Sequence, residues 1–261
     1  MLPSSPPLLF SKETLKRHRT RSLSLFDPQD PLVLTIESHL LDRLNDFNKT
    51  FQKSLCLGFR TQALPTWSLS PQNTTALITK ASSLIERPHS DLVYDEEFLP
   101  FSPHQFDLIL SALHLHTMND LPGALTQLHQ ALKPKGLFMA AFLGGHSLKE
   151  LHHSFMNAEL SLKKSVSGRF APLIDVKDAA LLLKRAGFKN AISDTHSYTF
   201  SYPSPSTLLM HLKSLGETNS LYARHKGLSS PKLFKMAFDT YEKEKGVYVL
   251  TFDVIFVTGW Y

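Results

Sequence analysis

Apolar residues recur with two different periods along this chain, and the periods alternate. From Asp30-Pro31, an N-cap followed by a proline in the first helical turn, Val33, Ile36, Leu40, Leu44 and Phe47 fall on one helix face. Leu55-Cys56-Leu57-Gly58 then reads as a short buried strand ended by glycine. Between Arg60 and Arg87 the pattern fades into Thr, Ser, Pro and Gln, with a weak strand at Ala76 to Thr79. It returns as a strand at Phe106 to Leu110, a helix capped by Asn119-Asp120 with Leu121, Leu125, Leu128 and Leu132 on its face, a Lys133-Pro134-Lys135-Gly136 stop, and a strand at Leu137 to Phe142. A helix from Asp175 to Ala186 stops at Gly187-Phe188, and a strand follows at Ala191 to Ser197. Two helices, Ser206 to Leu215 and Pro231 to Lys245, precede a last strand at Val247 to Val257 that is apolar on both faces apart from Thr251 and Asp253. Strand, helix and strand joined by short links predict an α/β fold with right-handed crossovers and a mostly parallel sheet covered on both sides.

Composition changes this picture little. At 261 residues and 42% hydrophobic, the chain buries a full core as one domain with additions. Its formal charge of +5 comes from acids and bases interspersed through most of the sequence, which does not point to nucleic acid. Cys56 is the only cysteine, so an intrachain disulfide is excluded and a reducing compartment fits. No apolar run reaches the ~18 residues of a membrane span. Lys12, Lys16, Arg17, Arg19 and Arg21 among serines match either an organelle transit peptide or a short helix over Ser11 to Ser24 with a solvated basic face.

Certain stretches carry more than periodicity. Asp95-Glu96-Glu97-Phe98-Leu99-Pro100-Phe101 before Phe106-Asp107-Leu108-Ile109-Leu110 resembles the passage by which class I S-adenosylmethionine (SAM) methyltransferases lead past the adenine into their fourth strand. With Phe10 and Lys16 to Arg19, Leu40 to Leu44, Ser111 to His116, Asn119 to Pro122, Leu132 to Gly136, Gly144-Gly145 with Leu148 and Glu150-Leu151, Arg185 to Phe188 and Leu215 to Asn219, the chain resembles, along almost its whole length, the methyltransferase-like assembly factors of respiratory complex I. That group is similar to the malonyl-carrier-protein methyltransferase of biotin synthesis. The resemblance implies a Rossmann-like sheet of seven strands with the last antiparallel, N-terminal helices over residues 1–50, a core over 51–200 and 246–261, and a helical cover over 201–245. It favours the N-terminal helix over a transit peptide. It also implies SAM as cofactor and a complex I subunit as partner, with arginine hydroxylation on record for the mitochondrial relative. The location it implies is the bacterial cytoplasm, peripheral to the inner membrane, or the mitochondrial matrix. Oligomeric state does not follow from it.

Against this expectation stands Cys56-Leu57-Gly58-Phe59-Arg60-Thr61-Gln62. A SAM loop ends its first strand in an acid and a run of glycines, because the methionine part of the cofactor lies against bare backbone at a helix N-terminus. Only Gly58 matches. Cys56 replaces the acid, and Arg60, Thr61 and Gln62 add bulk. No carboxylate lies between Gly58 and Glu86, so the ribose-binding acid is missing too, with Thr79 or Lys80 nearest its place. Losing one charge-assisted hydrogen bond costs roughly 1.5 to 3 kcal/mol, about 10- to 150-fold in affinity. Asp95 and Glu96 remain as cofactor-side candidates, Asp95 matching the acceptor for the adenine amino group; alternatively Asp95 caps a turn and Phe98, Leu99 and Phe101 are core. His114 and His116 are the substrate-side candidates; two apart on an extended segment they would point one way, but a metal needs a third ligand that is not evident. No catalytic residue is named. Two functions stay open: a client-binding protein with an eroded SAM site, and an active SAM-dependent methyltransferase of a protein or small carboxylate with a rearranged loop.

Overall fold

The computed structural model describes residues 8–47, 49–61, 63–64, 75–83, 85, 90–95, 97–241, 243–244 and 246–261. Gln62 and Glu96, both singled out above, lie outside them. Among the described residues there are seven helices: α1 (Lys12–Leu23), α2 (Pro31–Asn45), α3 (Leu121–Ala131), α4 (Lys149–Lys163), α5 (Val176–Arg185), α6 (Pro205–Leu215) and α7 (Pro231–Asp239). The strands are β1 (Phe51–Leu57), β2 (Thr75–Ser83), β3 (Leu92–Tyr94), β4 (Phe106–Ala112), β5 (Leu132–Leu143), β6 (Lys189–Tyr202), β7 (Lys243–Glu244) and β8 (Val247–Trp260).

Seven strands form one path in the order β3-β2-β1-β4-β5-β8-β6, with the two-residue β7 paired to β8 beside it. β1 pairs in parallel with both β2 and β4, β2 with β3, and β4 with β5. β8 runs antiparallel to β5. The chain order reverses between β1 and β4, so the crevice at their C-terminal ends is the switch point where α/β sheets of this kind bind ligands. This is the methyltransferase-type Rossmann-like fold that the resemblance implied.

The chain divides into two compact units. The sheet unit comprises residues 26–147, 173–198 and 252–261. Register puts Leu55, Leu57, Ile109, Ser111, Phe138 and Ala140 on one face of its sheet, where they join Leu125, Leu128, Ala179 and Leu183 in the main core. Ser54, Cys56, Leu108, Leu110 and Leu137 take the opposite face, and α2 packs over β4 and β5 with Leu32, Val33, Ile36, Leu40 and Leu44 buried. Asp30 caps α2 by accepting from the N–H groups of Leu32 and Val33. Asp253, a polar exception in the last strand, accepts a short hydrogen bond from the Ser197 hydroxyl, and its own N–H donates to Ser147 Oγ at 3.0 Å.

The helical unit comprises residues 1–25, 148–172 and 199–251. Here α1 packs on α6, and α4 on α7. The N-terminal basic stretch is a helix capped by Ser11, the alternative that the resemblance favoured. Thr251, the other exception in the last strand, donates its N–H and hydroxyl to Glu150 at 3.1 and 2.6 Å. The helix expected to reach Lys245 stops at Asp239, because Lys243–Glu244 turn back through Gly246 (φ 84°) to pair with Val247 and Tyr248. The strand expected to end at Thr79 continues to Ser83, held by its pairing with β1 and β3.

Candidate functional site

β1 delivers Gly58 to the switch-point crevice at φ 79°, a conformation that suits glycine. A Cβ there would sit 2.3 Å from the Ala112 carbonyl oxygen and 3.2 Å from His114 Cβ, so the ends of β1 and β4 meet backbone against backbone. The Gly58 N–H donates to the Ala81 carbonyl at 3.2 Å, tying the same residue to β2.

The loop after Gly58 is gripped from above by α2. Glu37, fully buried, accepts from the Arg60 N–H at 2.7 Å on Oε1, and from the Thr61 N–H at 3.1 Å and hydroxyl at 2.6 Å on Oε2. Burial pushes this carboxyl above the usual range, and the three donated bonds oppose the push without cancelling it. The Arg60 guanidinium lies over the Phe26 ring, 3.8 Å from its centroid. Cys56 is sealed on the same side of the sheet; burial drives its thiol up to about 12, with Lys80 pulling the other way and the Glu37 charge adding to the rise. At the end of β2 the buried residues are Ser82 and Ser83, and the Ser82 hydroxyl donates to the Ile85 carbonyl.

Across the crevice, β3 contributes Tyr94, whose hydroxyl is 2.7 Å from His114 Nε2, with both side chains buried and the rings edge to face. His114 and His116 do not lie on an extended segment. Leu113 takes φ 48°, and Leu115–Thr117 form a 3₁₀ turn to which His114 is the N-cap. The premise that placed the two imidazoles side by side is therefore gone, and among the described residues no three His, Cys, Asp or Glu gather in a way that would hold a metal. Asp95 is exposed, accepting from the Glu97 N–H at 3.0 Å in a turn that α3 pins through Gln127. Leu99 and Phe101 pack against the core, but Phe98, expected with them in the turn reading, is 74% exposed.

The structure thus brings Gly58, His114 and Tyr94 to one point, with Glu37 and Thr61 on the α2 side. Sequence reasoning had Gly58 and His114 on different sides of a ligand and missed Glu37 and Tyr94. Glu37 left a signal: a charge directly after Ile36 in the stripe that α2 buries. Tyr94 left none.

Three kinds of comparison bear on this arrangement. A family described as "Methyltransferase domain" matches residues 72–140. Two solved structures, a putative methyltransferase from Bacillus halodurans and the YcgJ protein from Bacillus subtilis, superpose with TM-scores of 0.54 and 0.53 at 12% identity, each over 85% of this chain and 97% of the other, which speaks to fold alone. The malonyl-[acyl-carrier protein] O-methyltransferase of Gallionella capsiferriformans is 32% identical over 64% of this chain and 56% of its own length. Arginine-hydroxylase NDUFAF5, mitochondrial, is 33% identical in Danio rerio, over 97% of this chain and 82% of the relative, and 34% identical in Homo sapiens, over 88% and 70%. At that identity and coverage, the chain belongs to the family of methyltransferase-fold proteins that includes NDUFAF5.

Proposed function

We propose that this protein serves complex I assembly by binding a client subunit, and that its SAM cleft is eroded and closed by its own residues. The observation that carries the reading is the Glu37 clamp. Backbone N–H groups of the loop after the first strand are the donors a SAM enzyme turns toward its cofactor, and here those of Arg60 and Thr61 are taken by an internal carboxylate. The close approach of Gly58 to Ala112 and the buried Tyr94–His114 pair add to it, since both occupy the crevice in which the nucleoside would lie. In this reading the residues present do not fit the cofactor. The client class follows from the family, and with it a place in the bacterial cytoplasm, peripheral to the inner membrane, or in the matrix of a mitochondrion.

Calorimetric titration with SAM tests the closed cleft: silence at millimolar ligand is expected, and binding at micromolar ligand overturns it. Deletion of the gene tests the client: loss of assembled complex I is expected, and a fully assembled complex overturns it. A second reading, an active SAM-dependent methyltransferase with a rearranged loop, draws on Gly58 keeping φ 79° and on Asp95 standing exposed at the rim. In it His114 and His116 face a protein or small carboxylate substrate. The same titration decides between them.

A further inference from the structure

The modest net charge of the chain conceals a segregation. The helical unit holds sixteen Lys and Arg against seven Asp and Glu, a net of +9, while the sheet unit holds twelve against sixteen, a net of −4, which together give the +5 of the whole. Large apolar side chains exposed to solvent follow the positive charge: Leu8, Leu9, Leu23, Leu25, Leu160, Val166, Met210, Tyr222 and Leu228 are in the helical unit, against four in the sheet unit among the described residues.

Within the helical unit the cations are gathered by specific bonds. The Ser11 N–H donates to the Ser220 carbonyl at 2.9 Å, the Tyr222 N–H to the Leu9 carbonyl at 2.8 Å, and Phe10 bridges Leu221, so the lead into α1 is stitched to the segment after α6. Further along α1, Arg21 Nη2 donates to Thr218 Oγ1 at 3.2 Å, and the same hydroxyl is hydrogen-bonded to His18 Nδ1 at 2.8 Å. Lys16, Arg17, Thr20 and Arg21 form the solvent face of α1, and Arg224 anchors to the Leu221 carbonyl beside them. Residues 8–25 and 215–228 together carry seven cations and two acids, Glu13 and Glu217. The buried His18 senses this field. Its pKa falls to about 4, through burial first and then through Arg21, with Arg17 and Arg224 adding to the fall.

We propose that this surface, α1 with the segment from Leu215 to Leu228, docks an acidic protein segment. Guanidinium forks fixed by hydrogen bonds suit carboxylates. Tyr222, 61% exposed, and Leu228, fully exposed, supply the apolar anchors that protein interfaces place among charges. A bilayer fits less well, because the exposed face of α1 offers only Leu23 as a large apolar residue at its last position, where a membrane-lying helix needs a full apolar face. The proposal rests on the client-binding reading for the identity of the partner as a client; the preference for acidic protein stands on the charge.

The test uses the full chain and a labelled peptide of about 20 residues in which Glu alternates with Leu and Phe, read by fluorescence anisotropy at about 50 and 200 mM salt. Binding is expected to weaken about tenfold with the added salt, and about tenfold again in Lys16→Glu/Arg17→Glu/Lys226→Glu, all exposed positions. The matched change on the sheet unit, Lys177→Glu/Lys184→Glu/Lys189→Glu, leaves it unaltered. Equal weakening by both variants overturns the proposal, as does no weakening by the first. Tighter binding of an RNA of the same length, or of vesicles containing phosphatidylglycerol, overturns it in favour of those partners. Assembly of complex I without the gene refutes the client reading and leaves the peptide result to stand or fall by itself.

Discussion

Glu37 in the sheet unit and Glu159 in the helical unit are both sealed from solvent, at 0% and 1% exposure, yet their carboxyls are held in opposite senses. Glu159 accepts from the Ser167 N–H at 2.7 Å, from the Ser167 hydroxyl and from Arg169 Nε at 2.8 Å, and these bonds carry it below the usual carboxylate range despite burial. Glu37 also accepts three bonds, from two N–H groups and a hydroxyl, and the Arg60 charge helps them, but burial leaves it above that range. At Glu159 a direct guanidinium bond adds to the neutral donors and offsets the burial. Glu159 is in the arrangement of a structural ion pair. Glu37 is in that of a group retained because it ties down a loop.

The sharpest way to break the comparison is Glu159→Ala. Arg169, whose side chain is only 19% exposed, then loses its carboxylate, and urea denaturation should record a loss of about 3 to 5 kcal/mol. Glu37→Ala leaves the Arg60 and Thr61 N–H groups without their acceptor, and a smaller loss of about 2 to 3 kcal/mol is expected in the same measurement. If the loop is held by that carboxylate, hydrogen exchange at Arg60 and Thr61 quickens in this variant, while β4 stays protected.

Titration separates the two residues by sign. A carboxyl lowered in the native state contributes stability above pH 4.5 that is lost as the pH falls, because the unfolded chain takes up the proton first. A raised one does the reverse: its contribution is complete below pH 4.5 and declines as the pH rises toward its folded value. Glu159→Gln should therefore flatten the acid limb of the stability profile and Glu37→Gln the decline above it. His18 extends the test to a base. Its pKa of about 4 means that the unfolded chain binds a proton between pH 6.5 and 4 where the native one does not, so stability is lost as pH falls through that window, and His18→Asn should remove a loss on the order of 1 to 2 kcal/mol. The smallest effect concerns the neighbour of Glu37: with its thiol pushed to about 12, Cys56 should resist alkylation at pH 8 in the native protein and react fully in denaturant.

The contrast between the two glutamates also marks what could be read in advance. Helix and strand periods came through because α2, α3 and β8 bury whole faces, and a buried face writes its period into the sequence. Thr251 and Asp253 were visible as polar intrusions, and the bonds to Glu150, Ser147 and Ser197 account for them. Glu37 was equally visible as an intrusion into α2, but its target lies 23 residues away across a strand, which periodicity does not encode. Tyr94 and His114 each look ordinary alone; only the parallel pairing of β2 with β3 and of β1 with β4 brings the two rings together. The missing glycines of the loop were legible at once, since a side chain at Arg60 or Thr61 is a fact of sequence. The Glu37 clamp on that loop was not.

β8 is the last long strand in sequence, yet it lies between β5 and β6 in the sheet, and its residues 247–251 and 252–260 are divided between the two units. A nascent chain therefore emerges from the ribosome with unsatisfied strand edges on β5 and on β6, and keeps them until β8 has emerged and paired. Such edges invite pairing with other chains. The protein is thus most exposed to aggregation in the interval before β8 pairs, and a chaperone that shields β-edges should matter more to its yield than any late rearrangement of its helices.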